Sequence, residues 1–261
     1  MTVDVHAHFW TDGYLDKVAA LGKTDTAAQR GRGAGDGAEL DARLALMDRA
    51  GVGMQVLSAS PQLPHGPDQA AAISAARHVN DQYADLAARY PGRFAAFASL
   101  PLPHLDASLT ELGRALDDLG MAGVAMTTTI LGQPLVDSPA AELFAELDGR
   151  GTVLYLHPAG NAACTPLIAE HHGTWSVGAP VEDTISVLHL ITHGIPSRYP
   201  RMKILNSHLG ADRLVLGTDF PYQNGAAYER AVSYVTTSGL APGDADRVLS
   251  VNAQALLGQG R

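Results

Sequence analysis

The chain has 261 residues, a single cysteine and a formal charge of -9, with 46% hydrophobic residues. That length suits one barrel-sized domain over 1–261, because a (β/α)₈ barrel takes roughly 250 residues. The acidic balance argues against a nucleic-acid footprint, which needs clustered positive charge. Cys164 has no second cysteine for an internal disulfide. No run nears the ~20 apolar residues of a membrane span, and no signal-peptide pattern opens the chain. The expectation is a soluble, cytoplasmic protein with no membrane partner.

In chain order, seven short apolar runs read as strands: 3–9, 53–59, 94–100, 123–128, 152–157, 203–207 and 213–218. They lack strict alternation, as strands covered on both faces do. Between them, 40–50, 67–89, 106–119, 139–149 and 180–193 read as helices; Leu109, Leu112, Leu116 and Leu119 mark one such spacing. Strand then helix, repeated, predicts an α/β fold with a parallel sheet. Segment 22–37 holds five glycines. It reads as a mobile loop or, because it follows the first strand where barrel sites form, as a lid.

His6 and His8 alternate in the first run, so both imidazoles face one way. Two such histidines suit a metal or a satisfied core pair. His157, His208 and Asp219 each end a later run and stand before a turn, and in a barrel those strand ends converge on one face. His6, His8, His157 and Asp219 make a nitrogen and oxygen shell that suits zinc with an open position, manganese being the other candidate. By geometry alone His208, which ends a run like the others, could be a fifth ligand; zinc sites usually keep three or four protein ligands, and beside the open position His208 would instead serve in acid/base work. Histidines 65, 104, 171, 172, 189 and 193 end no strand and read as surface or structural. Cys164 reads as a packing residue.

The segments VDVHAHF (3–9), RLALMDRAGV (43–52), FAAFASLPL (94–102), LYLHPAG (154–160), 177–205, ILNSHLG (204–210) and VLGTDFPY (215–222) resemble marker stretches of the amidohydrolase superfamily. The branch they are most similar to holds aminocarboxymuconate semialdehyde decarboxylase and γ-resorcylate decarboxylase. The resemblance runs in the same order over nearly the whole chain. It implies a TIM-type (β/α) barrel with one divalent metal on His6, His8, His157 and Asp219. It gives His208 an acid/base role and places Arg43 and Trp175 at substrate-contacting positions. It also implies a homodimer and non-oxidative decarboxylation of a small unsaturated or aromatic carboxylic acid, with His208 or Asp219 moving the proton. Hydrolysis of a lactone, amide or related bond would use the same residues, and a non-catalytic metal- or ligand-binding barrel would need only the shell.

One departure stands out. Ten residues separate His208 from Asp219, whereas a βαβ crossover needs about 30. The barrel is therefore expected to lack the segment of the seventh strand.

Overall fold

β1 (Thr2–His8) is buried along its length except at Thr2 and His6, which are partly exposed. Such a strand needs cover on both sides, and a parallel sheet with outer helices provides it. In the computed structural model, which describes residues 1–32, 37–160, 168, 170–206, 215–237, 240 and 242–258, the sheet follows the predicted runs. After β1 come β2 (Val52–Ser58), β3 (Phe94–Ala98) and β4 (Gly123–Thr127). A small antiparallel hairpin, β5 (Thr129–Ile130) with β6 (Gln133–Pro134), intervenes before β7 (Val153–His157) and β8 (Lys203–Leu205). The parallel sheet runs β1-β2-β3-β4-β7-β8. Its register aligns the strand ends, with His8 opposite Ser58 and Thr127 opposite His157.

Helices Gly37–Ala50, Gln69–Arg89, Leu105–Gly113, Leu143–Arg150 and Ala179–Thr192 fill the intervals between strands. Asn80 shows how one is fastened. Its amide accepts from Ser99 N at 2.9 Å and donates to Ser99 O at 3.0 Å and to Glu111 Oε1 at 2.8 Å. The sequence pattern did not mark the nine-residue helix Asp12–Ala20, although Thr11 caps it by accepting from Tyr14 N. No helix among the described residues is long and apolar enough to cross a membrane.

The last predicted run, 213–218, differs from the others. Residues 213 and 214 lie outside the described set, and the stretch 215–220 meets β1 through isolated parallel bridges, Asp4 with Leu216 and Ala7 with Phe220. Three backbone bonds tie this seam: Val5 N to Leu216 O at 2.9 Å, His8 N to Phe220 O at 2.7 Å and Asp219 N to His6 O at 2.8 Å. The other edge of β8 has no strand partner among the described residues. The chain thus forms a parallel barrel-type sheet of six strands among the described residues, and most of the short link between His208 and Asp219, 208–214, lies outside them. The lid reading of 22–37 falls partly outside the described residues, at 33–36. The part before them is anchored, because Gln29 O accepts from Trp10 Nε1 at 3.3 Å and Asp25 accepts from Gln62 Nε2 at 2.6 Å.

Candidate metal centre

Alternation along β1 carries Asp4, His6 and His8 to the same face of the strand. The seam brings Asp219 beside them. Gly217 makes this possible, since an added Cβ would lie 2.7 Å from the His6 Cβ, closer than carbon atoms approach. Asp219 itself holds a left-handed backbone, φ 59°, of the kind that clusters at functional sites.

Three donor atoms then form a closed triangle. His6 Nε2 lies 3.2 Å from His8 Nε2, His8 Nε2 lies 3.1 Å from Asp219 Oδ1, and His6 Nε2 lies 3.3 Å from the same oxygen. His157 completes the cluster, with one ligand atom from each of His6, His8 and His157 lying within 4.8 Å of the others. A single proton cannot bridge all three edges of that triangle, whereas one cation at its centre can. Ligands held at about 2.0–2.2 Å from one ion stand roughly 3.0–3.5 Å apart, which the observed edges match.

The protonation states agree. Burial, reinforced by the neighbouring imidazoles, pulls His157 well below the usual histidine range. Burial also lowers His8, although Asp219 pulls the other way. Burial alone would raise Asp219, but hydrogen bonds from His6 and His8 lead the influences that outweigh it and hold the carboxyl low. Lowered His8 and His157 beside an ionised carboxylate suit a divalent cation, whose ligands must be deprotonated. The supporting bonds fix the rings. His157 Nδ1 donates to Pro158 O at 2.7 Å, which leaves its Nε2 lone pair free. His8 Nδ1 lies 3.4 Å from Ser58 Oγ, and its ring stacks on Trp10.

The cluster lines a cavity of about 420 Å³ together with Trp175, Asp183 and Tyr222. Trp175 is half exposed in its wall. Arg43 does not line it. Its guanidinium is buried behind β1, donating to His8 O at 2.9 Å and lying 4.2 Å from the Phe220 ring centroid. The structure therefore joins Arg43 to the site through His8 rather than across the cavity. His208 and Cys164 lie outside the described residues.

Three supporting residues were not marked by the sequence pattern. Asp4, two places before His6, accepts from Thr218 N at 3.0 Å and Thr218 Oγ1 at 2.6 Å, and so fixes the residue next to Asp219. Its place in the alternation with His6 and His8 was the available signal. Glu182 accepts from Ala159 N at 2.6 Å, Gly160 N at 3.0 Å and the Thr128 hydroxyl, and so shapes the loop after His157. Asp183 is buried with one carboxylate oxygen unpartnered among the described residues. Burial, with Glu182 adding to it, pushes its carboxyl up to about 7. Nothing in the helical spacing distinguishes Glu182 or Asp183 from surface acids.

Known proteins place this geometry in a family. The family model described as Amidohydrolase matches residues 3–211. A γ-resorcylate decarboxylase of Rhizobium radiobacter is 35% identical over 182 residues, covering 65% of this chain and 55% of the relative. A 2-amino-3-carboxymuconate-6-semialdehyde decarboxylase of Dictyostelium discoideum is 28% identical over 171 residues, covering 65% and 47%. The chain spans about half the length of the curated relatives it matches. Among solved structures, a dihydroxybenzoic acid decarboxylase from a Polaromonas species, with bound manganese and the inhibitor 2-nitroresorcinol, superposes with a TM-score of 0.80 at 20% identity. It covers 100% of this chain and 97% of that one. With the barrel-type sheet and the family model both spanning most of the sequence, the chain belongs to the amidohydrolase family.

Proposed function

We propose that this protein is a divalent-metal-dependent, non-oxidative decarboxylase of a small aromatic or unsaturated carboxylic acid. The observation that carries the reading is the convergence of donor atoms from His6, His8, His157 and Asp219 at the edge of one cavity. The names of the relatives favour decarboxylation among the reactions such a centre supports. These four residues are the proposed ligands. Zinc suits three imidazoles and a carboxylate, and the manganese of the Polaromonas structure makes that ion the alternative. When bound, the ion would act as a Lewis acid on the oxygens of the substrate.

The chain's own residues supply the rest. Trp175 offers a ring face in the cavity wall to an aromatic substrate. In the reaction the bond from the ring carbon to the carboxylate breaks, its electron pair stays on the ring carbon, CO₂ leaves, and a proton joins that carbon. His208, just beyond β8, is proposed to deliver the proton, with Asp219 able to accept and relay it. Arg43 contributes by holding the His8 carbonyl and so the end of β1.

The test combines metal analysis with product analysis. Purified protein should hold close to one zinc or manganese per chain, and His6→Ala and His157→Ala should each lose it. Incubation with 2,6-dihydroxybenzoate and related acids should release CO₂. His208→Ala should keep the metal and lose about 10²-fold in kcat. Full occupancy in both ligand variants would overturn the ligand set, and hydrolysis of a lactone or amide without CO₂ release would make the protein a hydrolase.

A further inference from the structure

The space beside the metal cluster does not end at Trp175. Pro61 and Trp175 belong to the walls of two spaces, the metal cavity and a second lobe of about 440 Å³. Leu21 to Asp25, from the start of the glycine-rich loop, wall the second lobe on one side. His65, Thr127 and Thr129 wall it on another.

Two of these residues carry unanswered chemistry. The Lys23 side chain is partly buried. Its described hydrogen bond reaches Pro61 O at 3.5 Å, the long limit for such a contact. Asp25, the acid nearest in sequence and also in the wall of the lobe, accepts from Gln62 Nε2 at 2.6 Å and acts on Lys23 through its charge, but the two make no ion pair at contact distance among the described residues. An ammonium partly withdrawn from water and not in contact with a counter-charge gains from a ligand anion that meets it. His65 is buried. The Thr127 hydroxyl donates to Thr129 O at 2.7 Å, so its oxygen can accept from His65 Nδ1 at 3.4 Å. That tautomer leaves His65 Nε2 with a lone pair, and Nε2 has no partner among the described residues. The lobe therefore offers a cation and a hydrogen-bond acceptor.

We infer that the second lobe binds an acidic oxygen substituent, a carboxylate or a phenolic hydroxyl, on the side of the substrate away from the metal, with Lys23 as its charge partner and His65 as acceptor of a hydroxyl proton. The inference rests on the aromatic-acid reading above. It makes the first part of the glycine-rich loop a specificity element through Lys23.

Equilibrium binding to the metal-loaded chain tests it, read by quenching of Trp175 fluorescence. The other tryptophan, Trp10, is buried and serves as background. The probes are 2-hydroxybenzoate, 2,4-dihydroxybenzoate and 2-hydroxyterephthalate. 2-Hydroxyterephthalate should bind about tenfold more tightly than 2-hydroxybenzoate, the worth of one charge-assisted hydrogen bond, and 2,4-dihydroxybenzoate about fivefold more tightly, the worth of a neutral one. Lys23→Met should erase the advantage of the second carboxylate while leaving 2-hydroxybenzoate binding and metal content unchanged. Lys23→Arg should retain it, and His65→Phe should erase the advantage of the hydroxyl. Lys23→Gln serves if Lys23→Met fails to fold. Equal affinity for all three acids in the parent, or equal weakening of all three by Lys23→Met, overturns the lobe alone. No binding of any acid to the metal-loaded parent overturns the aromatic-acid reading and the lobe with it.

Discussion

Along the seam between β1 and the 215–220 stretch, the buried Asp4 carboxylate accepts from Thr218 N, Thr218 Oγ1, Gln55 Nε2 and His6 N. On β7, on helix Ala179–Thr192 and just after β8, by contrast, Tyr155 Oη, Asp183 Oδ1 and Asn206 Nδ2 are buried without a partner among the described residues. Buried polar groups are normally satisfied, so the two regions differ in completeness. The difference shows which side of the sheet gathers the donor cluster. Three of its four donors come from the satisfied side, His6 and His8 on β1 and Asp219 on the seam. The fourth, His157, ends β7, whose pairing with β4 is continuous from Gly123–Val153 to Thr127–His157.

Breaking the satisfied side should have the largest effect. Asp4→Ala strips the acceptor from four donors in a fully buried position. A cost of about 3–5 kcal/mol is expected, the usual result of opening a buried charged network. Because Thr218 precedes Asp219, metal affinity should fall as well. Denaturant titration checks the first expectation and metal titration the second. A stability loss with unchanged metal affinity would mean that the seam supports the fold but does not place Asp219.

The incomplete side can be sharpened through Asp183. Its carboxyl titrates near 7 in the folded chain, against an ordinary value of 3.8. Between those values the folded state binds a proton that the unfolded state has released, so stability falls as pH rises from about 4 to about 7 and is level beyond. Asp183→Asn removes that penalty. The variant should be more stable than the parent at pH 8, by about 2–4 kcal/mol, and equal to it below pH 4. Chelator-treated protein is the right sample, because a cation beside His6 would favour the ionised carboxylate. Equal stability of parent and variant at pH 8 would mean that Asp183 finds a partner there.

These two acids also mark what the sequence could and could not reveal. The strands were legible because each is a short apolar run between helical patterns, and the order of those runs is the order of the sheet. The ligand candidates were legible because His6, His8, His157 and Asp219 stand at strand ends, where a barrel converges. Asp4 shares the alternation of His6 and His8 and could have been added on that ground. Asp183 and Glu182 could not, because their burial depends on how helix Ala179–Thr192 leans over the loop after β7, a long-range contact with no local pattern. Arg43 shows the converse. Its sequence position suggested substrate, but the fold turns it to the back of β1, where the His8 carbonyl and the Phe220 ring receive it. The hairpin β5–β6 is two residues per strand, too short for periodicity to register.

The smallest expected effect lies where the two lobes of the cavity meet. Gly160 has φ 81°, and an added Cβ would stand 3.0 Å from the Trp175 ring. The backbone alone makes alanine unfavourable there by about 1–2 kcal/mol, because left-handed geometry crowds a Cβ against the carbonyl. The steric part has an outlet, since Trp175 is half exposed and its ring can swing outward. Gly160→Ala should therefore fold with a modest loss of stability while displacing the wall between the metal cavity and the second lobe. Trp175 emission should shift, and aromatic acids should bind more weakly with metal content unchanged. A double-mutant cycle with Trp175→Ala separates the two parts. If the binding losses add, Gly160 acts through the loop that follows His157. If Gly160→Ala costs nothing further in binding once Trp175 is gone, its contribution to binding is to let the indole stand between the lobes.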